Sequence, residues 1–175
     1  MPAVLVSLRA EDGSRVEQTP NGSRVNRESA RLVVKMAIYY AKSEVHLQIG
    51  IITPYRGQVS QIKRLLRDKN PPKHLDGRIK IGTIHAFQGS EADVIIWDLV
   101  ETEHLPVGRL YHEDVGSRLT NVAISRAQGK LLIVGDVNVF VTNSGANKVK
   151  ILKGILVNKF SEKIGNVVSA RELGY

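Results

Sequence analysis

Three short segments of the chain set chemistry-bearing residues side by side. In the first, Ile51-Ile52-Thr53-Pro54-Tyr55-Arg56-Gly57-Gln58, an aromatic ring adjoins a guanidinium. The ring can stack on a base, and the planar Arg fork can neutralise phosphate oxygens. The same pair is equally at home in surface packing. The second segment is Gly82-Thr83-Ile84-His85-Ala86-Phe87-Gln88-Gly89-Ser90-Glu91-Ala92-Asp93. Gly89 permits close backbone approach, neighbouring amides can meet an anion, and Gln88 and Glu91 can hydrogen-bond a sugar or a phosphate-linked water. A plain connector with one necessary glycine and a solvated Glu has the same composition. The third segment, Arg118-Leu119-Thr120-Asn121-Val122-Ala123-Ile124-Ser125-Arg126-Ala127, ends in an Arg placed to reach across a cleft. A helix C-terminus also favours that charge on electrostatic grounds alone.

The elements that must position these segments follow from the apolar pattern. Strands are expected at Ala3 to Leu8, Leu47 to Thr53, Ile79 to His85, Asp93 to Leu99 and Leu131 to Gly135, each brief, apolar and rich in β-branched residues. Continuous apolar strands separated by helices are what a sheet covered on both faces demands, so the fold class is parallel α/β. The three segments then lie beside strand ends, where ligands sit in such sheets. Asn26 can cap a helix whose apolar positions Ala30, Val33, Val34, Ala37, Ile38 and Ala41 follow the 3.6-residue period, with Glu28 in its first turn. Thr53-Pro54 reads as a strand end followed by a helix start, with Val59, Ile62, Leu65 and Leu66 as the buried stripe and Asn70-Pro71-Pro72 as the stop. Another helix is expected over Leu119 to Ala127. Residues 101 to 118 lack periodicity and read as a long loop. Beyond Asp136 a turn is expected at Thr142 to Asn147 and a helix at Val149 to Phe160, with the last dozen residues as a tail. Trp97, inside an apolar strand, is a core residue.

At 175 residues the chain is long enough for one well-cored domain, expected over residues 1–140, with a C-terminal helix and tail over 141–175. Twenty-five Lys and Arg against 17 Asp and Glu give a formal net charge of +8, a surface that attracts polyanions, nucleic acid first among them. The excess is concentrated between Pro54 and Lys80, which carry eight basic and two acidic residues, whereas Ile81 to Ser125 are net acidic. A solvated helix face also explains such a run. The absence of cysteine removes disulfides, thiol nucleophiles and thiolate zinc sites from consideration. His104, His112, Glu113 and Asp114 match no metal-ligand spacing, so no metal site is assigned. Apolar runs fall far short of the roughly 20 residues that cross a bilayer, and an intracellular location without membrane contact is expected.

In order and spacing, ITPYRGQ, GTIHAFQGSEADVII and LTNVAISRAQGKLLIVGD resemble motifs IV, V and VI of superfamily 1 helicases, in the branch containing senataxin and the nonsense-mediated-decay RNA helicase. The resemblance covers roughly residues 3 to 136. His85 stands where many relatives have Asp, and Ile124-Ser125-Arg126 replaces the commoner Leu/Val-Thr-Arg. What the resemblance implies is the second RecA-like domain of a two-domain motor: a three-layer fold of P-loop NTPase type, with a mostly parallel sheet of about five strands between helices.

By the same resemblance, Tyr55 would stack near the adenine, and Arg56 and Arg126 would reach the γ-phosphate as arginine fingers. Gln58 and the Gly89 amide would lie beside the nucleotide, Glu91 would accept from the ribose hydroxyls, and Thr83 and His85 would face the single strand. A motor also needs a phosphate loop of the form G-x-x-x-x-G-K-[ST] and an acidic pair for Mg²⁺, and neither motif occurs here. ATP and Mg²⁺ would therefore be bound mainly by a first RecA-like domain of the same or another chain, and this chain alone would hydrolyse ATP hardly at all. The implied partners are that domain and single-stranded DNA or RNA. A non-catalytic nucleic-acid-binding or regulatory module with the same fold is the alternative. A Rossmann-type enzyme is disfavoured because no G-x-G-x-x-G follows any strand.

Overall fold

A computed structural model describes residues 3–8, 13–75, 77–87, 89–136, 138–141 and 165–169. The strands are β1 (Ala3–Ser7), β2 (Val16–Gln18), β3 (Arg24–Asn26), β4 (Ile49–Ile52), β5 (Ile79–Gly82), β6 (Ala92–Asp98), β7 (Ala127–Gly135) and β8 (Gly165–Ser169). Helices α1 (Arg27–Ser43), α2 (Arg56–Asp68), α3 (Glu113–Ser125) and the short α4 (Asn138–Val141) connect them. Six strands form one sheet in the order β5-β4-β6-β7-β1-β8, and every pairing in it is parallel. The expected α/β class is observed, a parallel sheet flanked by helices.

Alternation along the central strands sorts their side chains into two cores, because successive residues of a strand point to opposite faces. Ile95, Trp97, Leu131 and Ile133 join one cluster with Phe87, Tyr111 and Phe140. Val94, Ile96, Leu132 and Val134 join the other, with Val33, Ala37 and Ile62 from α1 and α2. Trp97 is wholly buried, as a core residue should be. Asn26 caps α1 as expected, its side chain accepting from the Ser29 amide, and Glu28 lies in the first turn.

Several boundaries differ from the sequence reading. The cap of α2 is Tyr55, not Thr53, and it makes no side-chain capping bond. Thr53 instead prolongs β4, its amide donating to the Gly82 carbonyl at 3.2 Å. β5 stops at Gly82, and a 3₁₀ turn over Ile84–Phe87 begins the return to β6. α3 starts at Glu113, so the expected loop ends six residues early. The antiparallel β2–β3 hairpin was not anticipated. β8, drawn from the expected tail, pairs with β1 and gives the sheet its sixth strand. The turn expected at Thr142 to Asn147 and the helix expected at Val149 to Phe160 lie outside the described residues. No helix among the described residues is long and apolar enough to cross a membrane.

Candidate nucleotide and strand-facing site

The three motif segments distribute over both edges of the sheet. Ile52 is level with Gly82 and Trp97, and Trp97 is level with Ile133. The ends of β4, β5 and β6 therefore define a carboxyl edge, and Arg56 opens α2 just beyond it. Arg126 directly precedes β7, where Ala127 pairs with Ala92, at the amino edge. Six residue steps along β7 separate Ala127 from Ile133, about 20 Å at ~3.3 Å per residue. Arg56 and Arg126 thus start from opposite edges, and the fold of this lobe does not bring them to one hollow.

The amino edge does assemble residues from the second and third segments. The Ala92 amide donates to the Arg126 carbonyl at 3.0 Å, which fixes Glu91 beside the end of α3. Glu91 is exposed, and its Oε2 accepts from Gln128 Nε2 at 2.6 Å. Among the described residues the half-buried Arg126 donates through Nε and Nη2 only to the neighbouring Ser125 hydroxyl, at 3.3 and 3.2 Å. It joins none of the ion pairs among the described residues. A guanidinium held this loosely is free to meet an anion. Gly89 is exposed with φ +74°, a left-handed conformation that suits glycine, and a Cβ there would meet open space. The constraint at Gly89 is therefore conformational and not steric. Gln88 lies outside the described residues.

Thr83 and His85 leave the carboxyl edge together. Thr83 is half-buried and its carbonyl accepts from the Ala86 amide at 2.9 Å, while the His85 side chain is exposed. What anchors this turn is Phe87, 1% exposed. Its ring occupies space that two glycines leave open: a Cβ at Gly50 would lie 2.8 Å from Phe87 Cε1, and one at Gly82 would lie 3.4 Å from Phe87 Cε2. Lys80 Nζ covers the ring at 4.9 Å from its centroid and also donates to Ser90 Oγ at 2.7 Å.

Tyr55 and Gln58 need correction as nucleotide contacts. Tyr55 is 8% exposed, its hydroxyl donates to Glu101, and the Arg24 guanidinium sits 6.0 Å from its ring centroid. A ring so enclosed offers no free face to an adenine. Gln58 is wholly buried: its Oε1 accepts from the Asn26 amide at 2.9 Å, and its Nε2 reaches the Asn26 carbonyl at 3.0 Å, Ser29 Oγ at 3.0 Å and Asp98 Oδ2 at 2.6 Å. A buried amide must find partners inside the protein, and those it has found leave none of its polar atoms for a ligand.

The residues that complete this network were missed. Asp98 Oδ1 accepts from the Val100 amide at 3.1 Å, and Asn26 Nδ2 donates to Ser14 Oγ at 2.8 Å and the Val100 carbonyl at 3.0 Å. Arg24 pairs with the fully buried Glu101. Burial pushes the Asp98 carboxyl up to about 6, against the lowering effect of its bonds to Gln58, Ser29 and Val100. Burial likewise raises Glu101, with Tyr55 and Arg24 pulling it back. The available signal was an acid at the end of the apolar run Val94 to Leu99, since a carboxylate inside a sheet requires dedicated partners. The network ties the β2–β3 hairpin, the starts of α1 and α2 and the exit from β6 into one rigid unit, from which Arg56 projects into solvent.

Comparison with known proteins agrees with this architecture. Residues 1–138 match the AAA domain family, and the chain belongs to it. The chain is 40% identical over 126 residues to DNA polymerase alpha-associated DNA helicase A of Saccharomyces cerevisiae, covering 70% of this chain and 17% of that protein. It is 35% identical over 96 residues to Helicase sen1 of Schizosaccharomyces pombe, covering 55% and 6%. It is 32% identical over 125 residues to ATP-dependent helicase upf1 of the same yeast, covering 70% and 13%. These relatives mark a superfamily 1 helicase-like region, and the chain spans less than a fifth of each relative's length.

Proposed function

We propose that the chain is the second motor lobe of an ATP-dependent helicase, supplying one arginine finger and part of a single-strand track. Arg126 would meet the γ-phosphate and Glu91 the ribose hydroxyls of an ATP delivered by a first RecA-like lobe, with the Gly89 amide beside the nucleotide. The carrying observation is the Ala92–Arg126 backbone bond, which sets at the same edge Glu91 and a guanidinium that has no carboxylate partner among the described residues. A cation there costs no broken salt bridge when it turns to a phosphate. Mg²⁺ would be held by the companion lobe, because the chain carries no motif for it.

Thr83 and His85 would face the strand at the opposite edge, and Arg56 joins them there as a phosphate contact instead of acting as a second finger. That placement separates fuel from track: ATP at the amino edge draws the lobes together, and the strand at the carboxyl edge moves with them. The test compares ATPase of this chain alone with that of the chain joined to a phosphate-loop lobe, with and without single strand. Background turnover alone and strand-stimulated turnover together are expected. Strand binding with no ATPase in either form would favour the non-catalytic module.

A further inference from the structure

We propose a second nucleic-acid contact on the outer face of α2: a phosphate-binding stripe for duplex that adjoins the single-strand track at Arg56 and runs away from it through Lys63, Arg64 and Arg67. α2 buries Gln58 and Ile62 and half-buries Val59, Leu65 and Leu66. That inner face forces Arg56, Lys63, Arg64 and Arg67 outward, and all four are exposed. Arg56, Lys63 and Arg67 fall within a band about 40° wide and about 16 Å long at 3.6 residues per turn and 1.5 Å rise. None of these cations is in an ion pair among the described residues. The pairs found are Arg24–Glu101, Arg27–Glu17 and Arg31–Glu28. Among the described residues Arg64 donates only to Gln61 Oε1, at 2.8 Å. Lys69 and Lys73, also exposed, continue the positive surface past the helix end.

A groove of about 460 Å³ runs between α2, with Ser60, Gln61 and Arg64 on one wall, and the β2–β3 hairpin and start of α1, with Thr19 and Arg27 on the other. Its one carboxylate, Glu17, is held by Arg27 at 3.1 to 3.2 Å, which offsets its charge. The stripe and groove present cations and hydroxyls without an exposed aromatic ring. Among the described residues, the large apolar side chains that are exposed, Tyr39, Val45 and Leu110, lie on other elements. Single-strand sites rely on rings that stack bases, whereas a ring-free row of cations fits backbone phosphates alone. A band of this length reaches across a duplex groove about 12 Å wide, so it can meet phosphates on both walls. Because the band starts at Arg56, on the edge assigned to the strand, the duplex would be held where the single strand emerges.

The proposal stands on charge and exposure and does not depend on the ATP assignment. Its test is binding of the full chain to a blunt 20-base-pair duplex and, separately, to a 20-nucleotide single strand, over a salt series. The triple substitution Lys63→Ala, Arg64→Ala, Arg67→Ala should weaken duplex binding at least tenfold. It should also flatten the log–log salt slope by about 2 to 3, since each released counterion contributes about 0.9. Single-strand affinity should change less than threefold. The charge-conserving variant Lys63→Arg, Arg64→Lys, Arg67→Lys should restore duplex binding, which separates charge from folding. Thr83→Ala with His85→Ala should weaken the single strand and leave the duplex, so failure of the track reading is visible independently. An unchanged duplex slope in the triple variant, or equal losses on both nucleic acids, would overturn the proposal. So would binding of acidic polypeptide in preference to duplex.

Discussion

Gln58 Nε2 donates to Asp98 Oδ2 at 2.6 Å, joining the first turn of α2 to the last residue of β6 in a place that water does not reach. The sequence neighbours of Gln58 suggest a ligand contact, but its chemistry is internal. It fixes the direction in which α2 leaves the sheet, and with it the exposed Arg56 and the basic face beyond.

Removing that amide should therefore cost stability before it affects any ligand. Gln58→Ala orphans the Asn26 amide and takes a donor from Asp98, while Ser29 Oγ still donates to the Asn26 carbonyl, and we expect a loss of about 2–3 kcal/mol, the scale of buried polar groups left unpaired. Urea unfolding followed by circular dichroism measures it. An unfolding midpoint equal to that of the wild type would show that the network contributes nothing.

Asp98 makes stability depend on pH in a defined direction. Its carboxyl titrates at about 6 in the folded chain against an ordinary 3.8, so between those values the folded state binds more protons than the unfolded state. The contribution of this group to folding is full below about pH 4 and is lost as pH rises through about 6. Glu101, also raised, acts in the same sense. Asp98→Asn should reduce the slope between pH 4 and 6, while lowering stability at every pH because its amide opposes either Gln58 Nε2 or the Val100 amide. Parallel slopes in the two proteins would remove Asp98 as the source.

Gly50 and Phe87 link the core to the turn that carries Thr83 and His85. A Cβ at Gly50 would lie 2.5 Å from Ile95 Cδ1 and 2.8 Å from Phe87 Cε1. Gly50→Ala should cost about 1–3 kcal/mol, as overpacking does. By displacing Phe87 it should also weaken single-strand binding several-fold, with duplex binding little changed. Thermal unfolding and the two binding assays report these effects separately, and unaltered single-strand affinity would disconnect Phe87 from the track.

The sheet was legible because its strands are short and apolar on both faces, and Asn26 declared its helix through cap chemistry. Where local signals failed, a distant partner decided. Thr53 looks like a helix cap, yet its amide is taken by Gly82 across the sheet, so the helix waits for Arg56. Tyr55 and Gln58 look like ligand contacts because polar and aromatic residues cluster at a helix start, and only the fold shows Glu101, Arg24 and Asp98 closing over them. β8 is too brief to announce itself, and its pairing with β1 supplies what its sequence lacks. The opposite-edge placement of Arg56 and Arg126 depends on strand direction and register, which motif spacing does not encode.

That placement gives the account its most direct measurement: strand-stimulated ATPase, at saturating single strand, of the assembled motor carrying Arg126→Ala or Arg56→Ala. Arg126→Ala should lower turnover by about 10³-fold or more, the scale of an arginine finger, with strand affinity preserved. Arg56→Ala should weaken strand affinity and leave saturated turnover within a few-fold of wild type. Wild-type turnover in Arg126→Ala, or an equally deep loss in Arg56→Ala, would contradict the division of this lobe into a nucleotide edge and a strand edge.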